Sequence, residues 1–340
     1  MPNRRQVIKA VSAFGAAVAT GMSMPVRAAQ GGPDNFYRSD KVNSQQVNFH
    51  NLYGMELVGN LYTPKGMKET DRLPAIVISH PFAAVRQQAA MLYAAKLAEA
   101  GFVTLAFDQS FWGASGGTPR GSVLPDVYVE NFSAGVDYLG TCKFVDRERI
   151  GALGICASGA FAVAATKIDP RIKALVTSSM YDMGEYFRKG VGTSRRDKEI
   201  VSRDLNTAAR QRWQTYETGA PVYGPGQNDA VFLEAKESND FYQTPRGQVP
   251  SNDRRTTPAS YAKFMNFYPF MDIDSISPRP ILFVVGEIAP SRQYTEAAFK
   301  AAAQPKELVV VKGANRIDLY DRTDMIPFDR ITAFYRQHLK

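Results

Sequence analysis

Short continuous apolar runs recur along the chain, separated by stretches of helical composition. Residues 75–79 (A-I-V-I-S) and 102–107 read as buried strands, 150–155, 174–178 and 281–286 as further apolar strands, and 307–311 as one more strand. A strand covered on both faces has no polar side to show, so its sequence does not alternate. Residues 87–100, 126–139 and 291–303 read as helices, and 328–339 as a final amphipathic one. Gly101 follows the first of them, where a glycine commonly ends a helix. Ahead of the runs, 46–50 alternates, Gly54 intervenes and 57–62 follows, which predicts an antiparallel opening pair. Alternating strands and helices predict an α/β fold, a mainly parallel sheet with helices on both faces.

The pattern breaks between residues 181 and 267. This stretch is polar, charged and aromatic, and 219–226 and 244–251 are rich in proline and glycine. Residues 194–214 have the composition of one or two helices. So long an excursion inside a compact fold is usually functional, and it predicts a cap over the strand ends. Its aromatics, Tyr181, Tyr186, Phe187, Trp213, Tyr216 and Tyr223, suit an apolar pocket. The expected divisions are 1–29 (a targeting segment), 30–180 (first part of the core), 181–267 (cap) and 268–340 (second part of the core). The polar residues 30–44 form a lead-in to the first strand.

Residues 149–166, R-I-G-A-L-G-I-C-A-S-G-A-F-A-V-A-A-T, join a strand to a small-residue helix. Gly154-x-Cys156-x-Ser158, followed by Gly159, is the small-x-nucleophile-x-small spacing of a nucleophile elbow. The turn holds its middle side chain up at the strand's carboxyl end. Its neighbours two away must be small, or strand and helix collide. The nucleophile would be Cys156. The plainer reading is a strand-to-helix turn around a buried cysteine.

With I-S-H-P-F at 78–82, A-F-D-Q-S-F-W-G-A-S-G-G at 106–117 and G-A-N-R-I-D-L-Y-D at 313–321, the elbow resembles the α/β-hydrolase superfamily in its dienelactone-hydrolase-like branch. The group includes bacterial exported hydrolases and fungal polyketide transferases and thiohydrolases. The resemblance covers about residues 45 to 340. It implies a mostly parallel eight-stranded sheet, an inserted cap, and hydrolysis or acyl transfer at an ester or thioester. It also implies a catalytic histidine where this chain has Arg316.

Composition limits the possibilities further. A chain of 340 residues, 44% hydrophobic and 22% charged, can bury a large core. The formal charge of +8 falls to +4 without residues 1–29, which hold Arg4, Arg5, Lys9 and Arg27 and no acid. That segment reads as a twin-arginine export signal: Arg4-Arg5, a weakly apolar run over 10–24, and a small-residue cleavage site at Ala28 or Ala29. A periplasmic or secreted protein is expected. No clustered basic run supports nucleic-acid binding, no further segment reads as a membrane span, and no metal, nucleotide or flavin motif appears. Cys142 and Cys156 flank a strand about 20 Å long, beyond the roughly 7 Å a disulfide allows. Two free thiols are expected.

Acyl transfer needs a nucleophile, a base, a group that orients the base, and oxyanion donors. The Ala157 N–H opens the helix after Cys156, where the helix dipole favours negative charge. The second donor is expected from His80-Pro81-Phe82-Ala83, and Phe82 is chosen because proline has no N–H. Glu287 and Asp182 both follow strands at positions that can hold the orienting acid in this superfamily. Either can equally be a capping or solvated carboxylate. The histidines are His50, His80 and His338. His338 is expected to be exposed, His50 to lie away from the catalytic strand ends, and His80 to shape the oxyanion loop or to swing in as a substitute base. Arginine is no base at neutral pH. Arg316 can favour a standing thiolate at Cys156, hold a ligand carboxylate, or pair with a surface carboxylate in a protein that only binds. The expectation is an enzyme on an ester or thioester of a hydrophobic acid that acylates but deacylates poorly. The alternative is a ligand-binding pseudo-hydrolase. Oligomeric state is open.

Overall fold

The computed structural model describes residues 32–224 and 235–340. The targeting segment expected over 1–29 lies outside the described residues. The chain opens with β1 (Val42–His50) and β2 (Glu56–Pro64), the antiparallel pair, joined through a turn in which Asn51 Oδ1 accepts from the Tyr53 and Met55 amides. Then come β3 (Leu73–Ser79), α1 (Ala90–Glu99), β4 (Val103–Phe107), α2 (Pro125–Thr141), β5 (Val145–Ile155), α3 (Ala157–Ile168) and β6 (Ile172–Ser178). Pro125 stands in the first turn of α2, where its missing N–H costs nothing.

The 87–100 helix begins later than its composition predicts. Ala89 has φ 72°, and the Arg86 amide is drawn 2.6 Å to Asp108 Oδ1, so 86–89 form a turn. After β6 the chain leaves the sheet through α4 (Met183–Lys189), the two-residue strands β7 (Gly190–Val191) and β8 (Ser194–Arg195), α5 (Lys198–Thr218), α6 (Ala235–Tyr242) and α7 (Pro258–Met265). It returns with β9 (Ile281–Gly286), α8 (Arg292–Ala301), β10 (Lys306–Val311), α9 (Asp318–Asp321) and α10 (Phe328–His338).

The eight-stranded sheet runs β1-β2-β4-β3-β5-β6-β9-β10. β2 is antiparallel to both neighbours, and all pairings from β4 to β10 are parallel. Strands β4, β6 and β9 are buried almost throughout, and β3 and β5 over their carboxyl-terminal parts, as their unbroken apolar runs require. Register brings their carboxyl ends together: Ser79 pairs with Phe107 and Gly154, and Ser178 pairs with Ile155 and Val284. Ligands of open α/β sheets bind at such an edge.

Candidate active site

Cys156 stands between β5 and α3 with φ 57° and ψ −123°, a backbone conformation rare outside glycine. Three hydrogen bonds hold it: its N–H donates to Ser178 O at 2.9 Å, and its carbonyl accepts from Gly159 at 3.0 Å and Tyr181 at 3.1 Å. The glycines around it have no room for more. A Cβ on Gly154 would come 2.2 Å from the Ser158 carbonyl oxygen, and one on Gly159 would come 2.7 Å from Met180 Cγ. The strand-to-helix crossing therefore exists only with those two residues small, and Cys156 is 4% exposed at its apex.

Beside the elbow, 80–84 form a tight turn. Ala84 N–H donates to Pro81 O at 3.2 Å, and Ala83 takes φ 54°. Ser158 Oγ donates to His80 O, which ties this loop to the first turn of α3. The Ala157 amide is at the start of α3, where amides have no partner within the helix. The Phe82 ring packs edge-on against Trp112 and Phe264, with centroids 6.4 and 5.1 Å away. Arg86 and Asp108 form a buried ion pair behind the loop, and Asp108 Oδ2 also accepts from Ala114 at 2.9 Å.

The ring of His80 is fully engaged. Nδ1 lies 2.8 Å from Pro81 O, and Nε2 accepts the Gln109 amide at 3.0 Å. These partners require the neutral ring with its proton on Nδ1. Burial pushes its pKa down, against the pull of Asp108. His338 is half-buried on Phe334, not exposed as its place in the terminal helix suggests. His50, the last residue of β1, lies on the same sheet edge as the carboxyl ends of the central strands, because two antiparallel pairings return β1 to their direction. Yet β1 is the sheet's outer edge, four strands from β5, or about 19 Å at the usual strand spacing.

Asp182 and Glu287 have separate duties. Asp182 caps α4, accepting from Glu185 N–H at 2.7 Å; burial pushes its carboxyl up to about 6, while Arg188 pulls the other way. Glu287 is exposed and accepts from Gly313 N–H at 2.8 Å.

Arg316 is 8% exposed, so it does not serve a surface pair. Its Nη2 donates to Ser238 Oγ on α6 at 2.9 Å, and the guanidinium lies 5.6 Å from the Tyr181 ring and 5.8 Å from the Tyr320 ring. Three further side chains surround the thiol. Tyr320, on α9, faces Cys156 and Tyr242, and burial pushes its phenol well up. Tyr242 is pushed up to about 12 by burial, with Arg254, Cys156 and Arg316 all near enough to act on it. Arg254, at φ 57°, lays its guanidinium 3.5 Å over the Tyr242 ring and donates to Ala83 O at 3.3 Å.

Sequence reasoning missed Tyr320, Tyr242 and Arg254. The four-residue step from Arg316 to Tyr320 was the available signal; nothing in D-R-R-T-T marks Arg254. Of the cap aromatics, Tyr181, Tyr186 and Phe187 are buried. Trp213 and Tyr216 stand in solvent, 70% and 91% exposed, because α5 buries only Ala208 fully. Both cysteines are free thiols.

Residues 57–185 match the dienelactone hydrolase family. Over 325 residues the chain is 46% identical to the uncharacterized protein PA2218 of Pseudomonas aeruginosa, covering 94% of this chain and 87% of that one. A crystal structure of PA2218 superposes with a TM-score of 0.85 over 93% of this chain and 99% of that one. Protein YcjY of Escherichia coli is 35% identical over 77% of this chain and 87% of its own. Thiohydrolase aneE of Aspergillus aculeatus is 26% identical over 79% and 85%. Such relatedness points to ester hydrolysis as the general chemistry. The elbow, the sheet order and these relatives together place the chain in the dienelactone hydrolase family of α/β hydrolases.

Proposed function

We propose that the protein is an exported acyl-transfer enzyme acting on an ester or thioester of a hydrophobic acid, with Cys156 as nucleophile. The observation that carries this reading is the strained elbow: a left-handed backbone at Cys156 between two glycines that admit no side chain. Backbone strain of this kind costs of order 1–3 kcal/mol and concentrates at functional sites. Cys156 Sγ attacks the acyl carbon, and the Phe82 and Ala157 amides receive the oxyanion. The Arg316 and Arg254 guanidiniums add positive field where negative charge develops. Buried Tyr181, Tyr186 and Phe187 favour an apolar acyl group. In place of the family histidine, Arg316 cannot take a proton from water. Acylation therefore outruns hydrolysis, and the acyl group passes to a stronger nucleophile or stays. Residues 1–29 direct export and are removed; fractionation and the N-terminal mass of the mature chain check this.

The test is intact mass after exposure of the mature protein to a small acyl thioester, beside Cys156→Ala and Arg316→His. A stable acyl adduct is expected on the parent and none on Cys156→Ala. Arg316→His is expected to convert the adduct into turnover. The second reading, a ligand-binding protein without turnover, is favoured by the engagement of both His80 ring nitrogens. It prevails if neither the parent nor Arg316→His forms an adduct.

A further inference from the structure

Tyr320 is completely buried on α9, edge-on to Phe241 at 5.5 Å. Its hydroxyl lies against the Cys156 thiol and the Tyr242 hydroxyl, within interaction range of both. Nevertheless, it forms no hydrogen bond of ordinary length and angle to any described residue. Buried hydroxyls are almost always satisfied, so one left open beside a nucleophile calls for an explanation. The hydroxyl is at once a donor and an acceptor, and a tyrosine can act as a general acid or base. His80 is committed on both nitrogens, and a guanidinium gives up no proton at neutral pH.

We propose that Tyr320 is the proton carrier of the acylation step. The proposal rests on Cys156 being the nucleophile. As Sγ bonds to the acyl carbon, the thiol proton moves to Tyr320 Oη. As the bond from acyl carbon to leaving group breaks, Tyr320's own proton moves to the departing oxygen or sulfur. One S–C bond forms and one C–O or C–S bond breaks. Two protons move one place each, and Tyr320 ends as it began. The two transfers are one concerted relay in which Tyr320's own proton leads, so Oη carries partial negative charge midway, and the Tyr242 hydroxyl and the Arg316 guanidinium steady it. A neutral phenol serves an incoming thiol better than water, because the thiol parts with its proton far more readily. The same residue thus fits acyl transfer better than hydrolysis.

The experiment follows Cys156 acylation by intact mass for esters of one acyl group with leaving groups from nitrophenol to a simple alcohol, in the parent protein and Tyr320→Phe. General acid–base catalysis typically contributes about 10²–10⁴-fold, so Tyr320→Phe is expected to slow the alkyl ester about a hundredfold or more while the nitrophenyl ester changes less than about threefold. In the unmodified protein, the alkyl ester is expected to show the larger solvent deuterium effect. An equal loss across the series, an equal deuterium effect, or no loss at all overturns the role of Tyr320 while leaving Cys156 as nucleophile. Absence of any Cys156 adduct on the parent with every ester overturns both.

Discussion

Asp182 holds its carboxyl under the first turn of α4, and burial pushes it up to about 6 from its ordinary value near 4. A carboxyl raised in the fold binds its proton more tightly there than in the unfolded chain. Its cost to stability is absent below about pH 4, grows between about 4 and 6, and is complete above, at about 3 kcal/mol from the size of the shift. Asp182→Asn keeps an oxygen for the Glu185 amide and cannot ionise. It is expected to raise the melting temperature at pH 7 and to match the parent near pH 4; an equal difference at both would mean that the carboxyl does not titrate this way. His80 has the opposite sign of dependence. Its pKa is lowered by burial, so the unfolded chain takes up a proton that the fold refuses, and stability falls as pH drops through about 6.5. His80→Gln preserves an acceptor for the Gln109 amide. It is expected to flatten that acid limb and to leave Cys156 acylation within about threefold, whereas loss of a general base costs about 10²-fold or more.

At the scale of elements, the elbow is the least tolerant joint in the chain. Gly154→Ala puts a methyl group 2.2 Å from a backbone oxygen that belongs to α3 and cannot swing away. A loss of more than about 4 kcal/mol is expected, in the range reserved for gross steric conflict, and chemical denaturation measures it. This joint could be read from the sequence because steric exclusion leaves its mark as glycine at fixed spacing. The buried strands were legible for a similar reason, since covering both faces removes the polar alternation. The start of α1 was not, because Asp108, more than twenty residues away in sequence, holds the Arg86 amide and sets 86–89 in a turn. The paired strands β7 and β8 escaped notice because two residues are too few to show a period. The second half of the site was hidden more deeply. Tyr242 and Arg254 reach the thiol from the inserted segment, and no local spacing encodes that meeting; only Tyr320, four residues past Arg316, left a sequence trace.

Across the whole molecule, the segment between β6 and β9 is fastened to the core by charge. Arg246 grips Asp321 on α9 with two bonds, Nε to Oδ2 at 2.8 Å and Nη2 to Oδ1 at 2.7 Å, and also pairs with Asp240. Asp321 is wholly buried. Removing one member of such a pair strands the other, which typically costs about 3–5 kcal/mol. Arg246→Met is therefore expected to lower stability by about that amount and to speed proteolysis within 235–257, adjacent to the bond it breaks. A loss under about 1 kcal/mol, as for an exposed pair, would show that Asp321 finds another partner.

A second fastening lies over the 80–84 turn. Ala83 O accepts from Arg254 Nε and from Asn252 Nδ2 at 3.0 Å, and Gln88 Nε2 donates to Gly247 O at 2.7 Å. In mechanical terms these bonds are a linkage, and the 80–84 turn is its short arm. Lifting 247–254 must either snap the linkage or drag Ala83 with it, tilting the neighbouring Phe82 amide, the donor proposed for the oxyanion. On the proposed function, opening the roof and disarming the donor beneath it are then a single displacement.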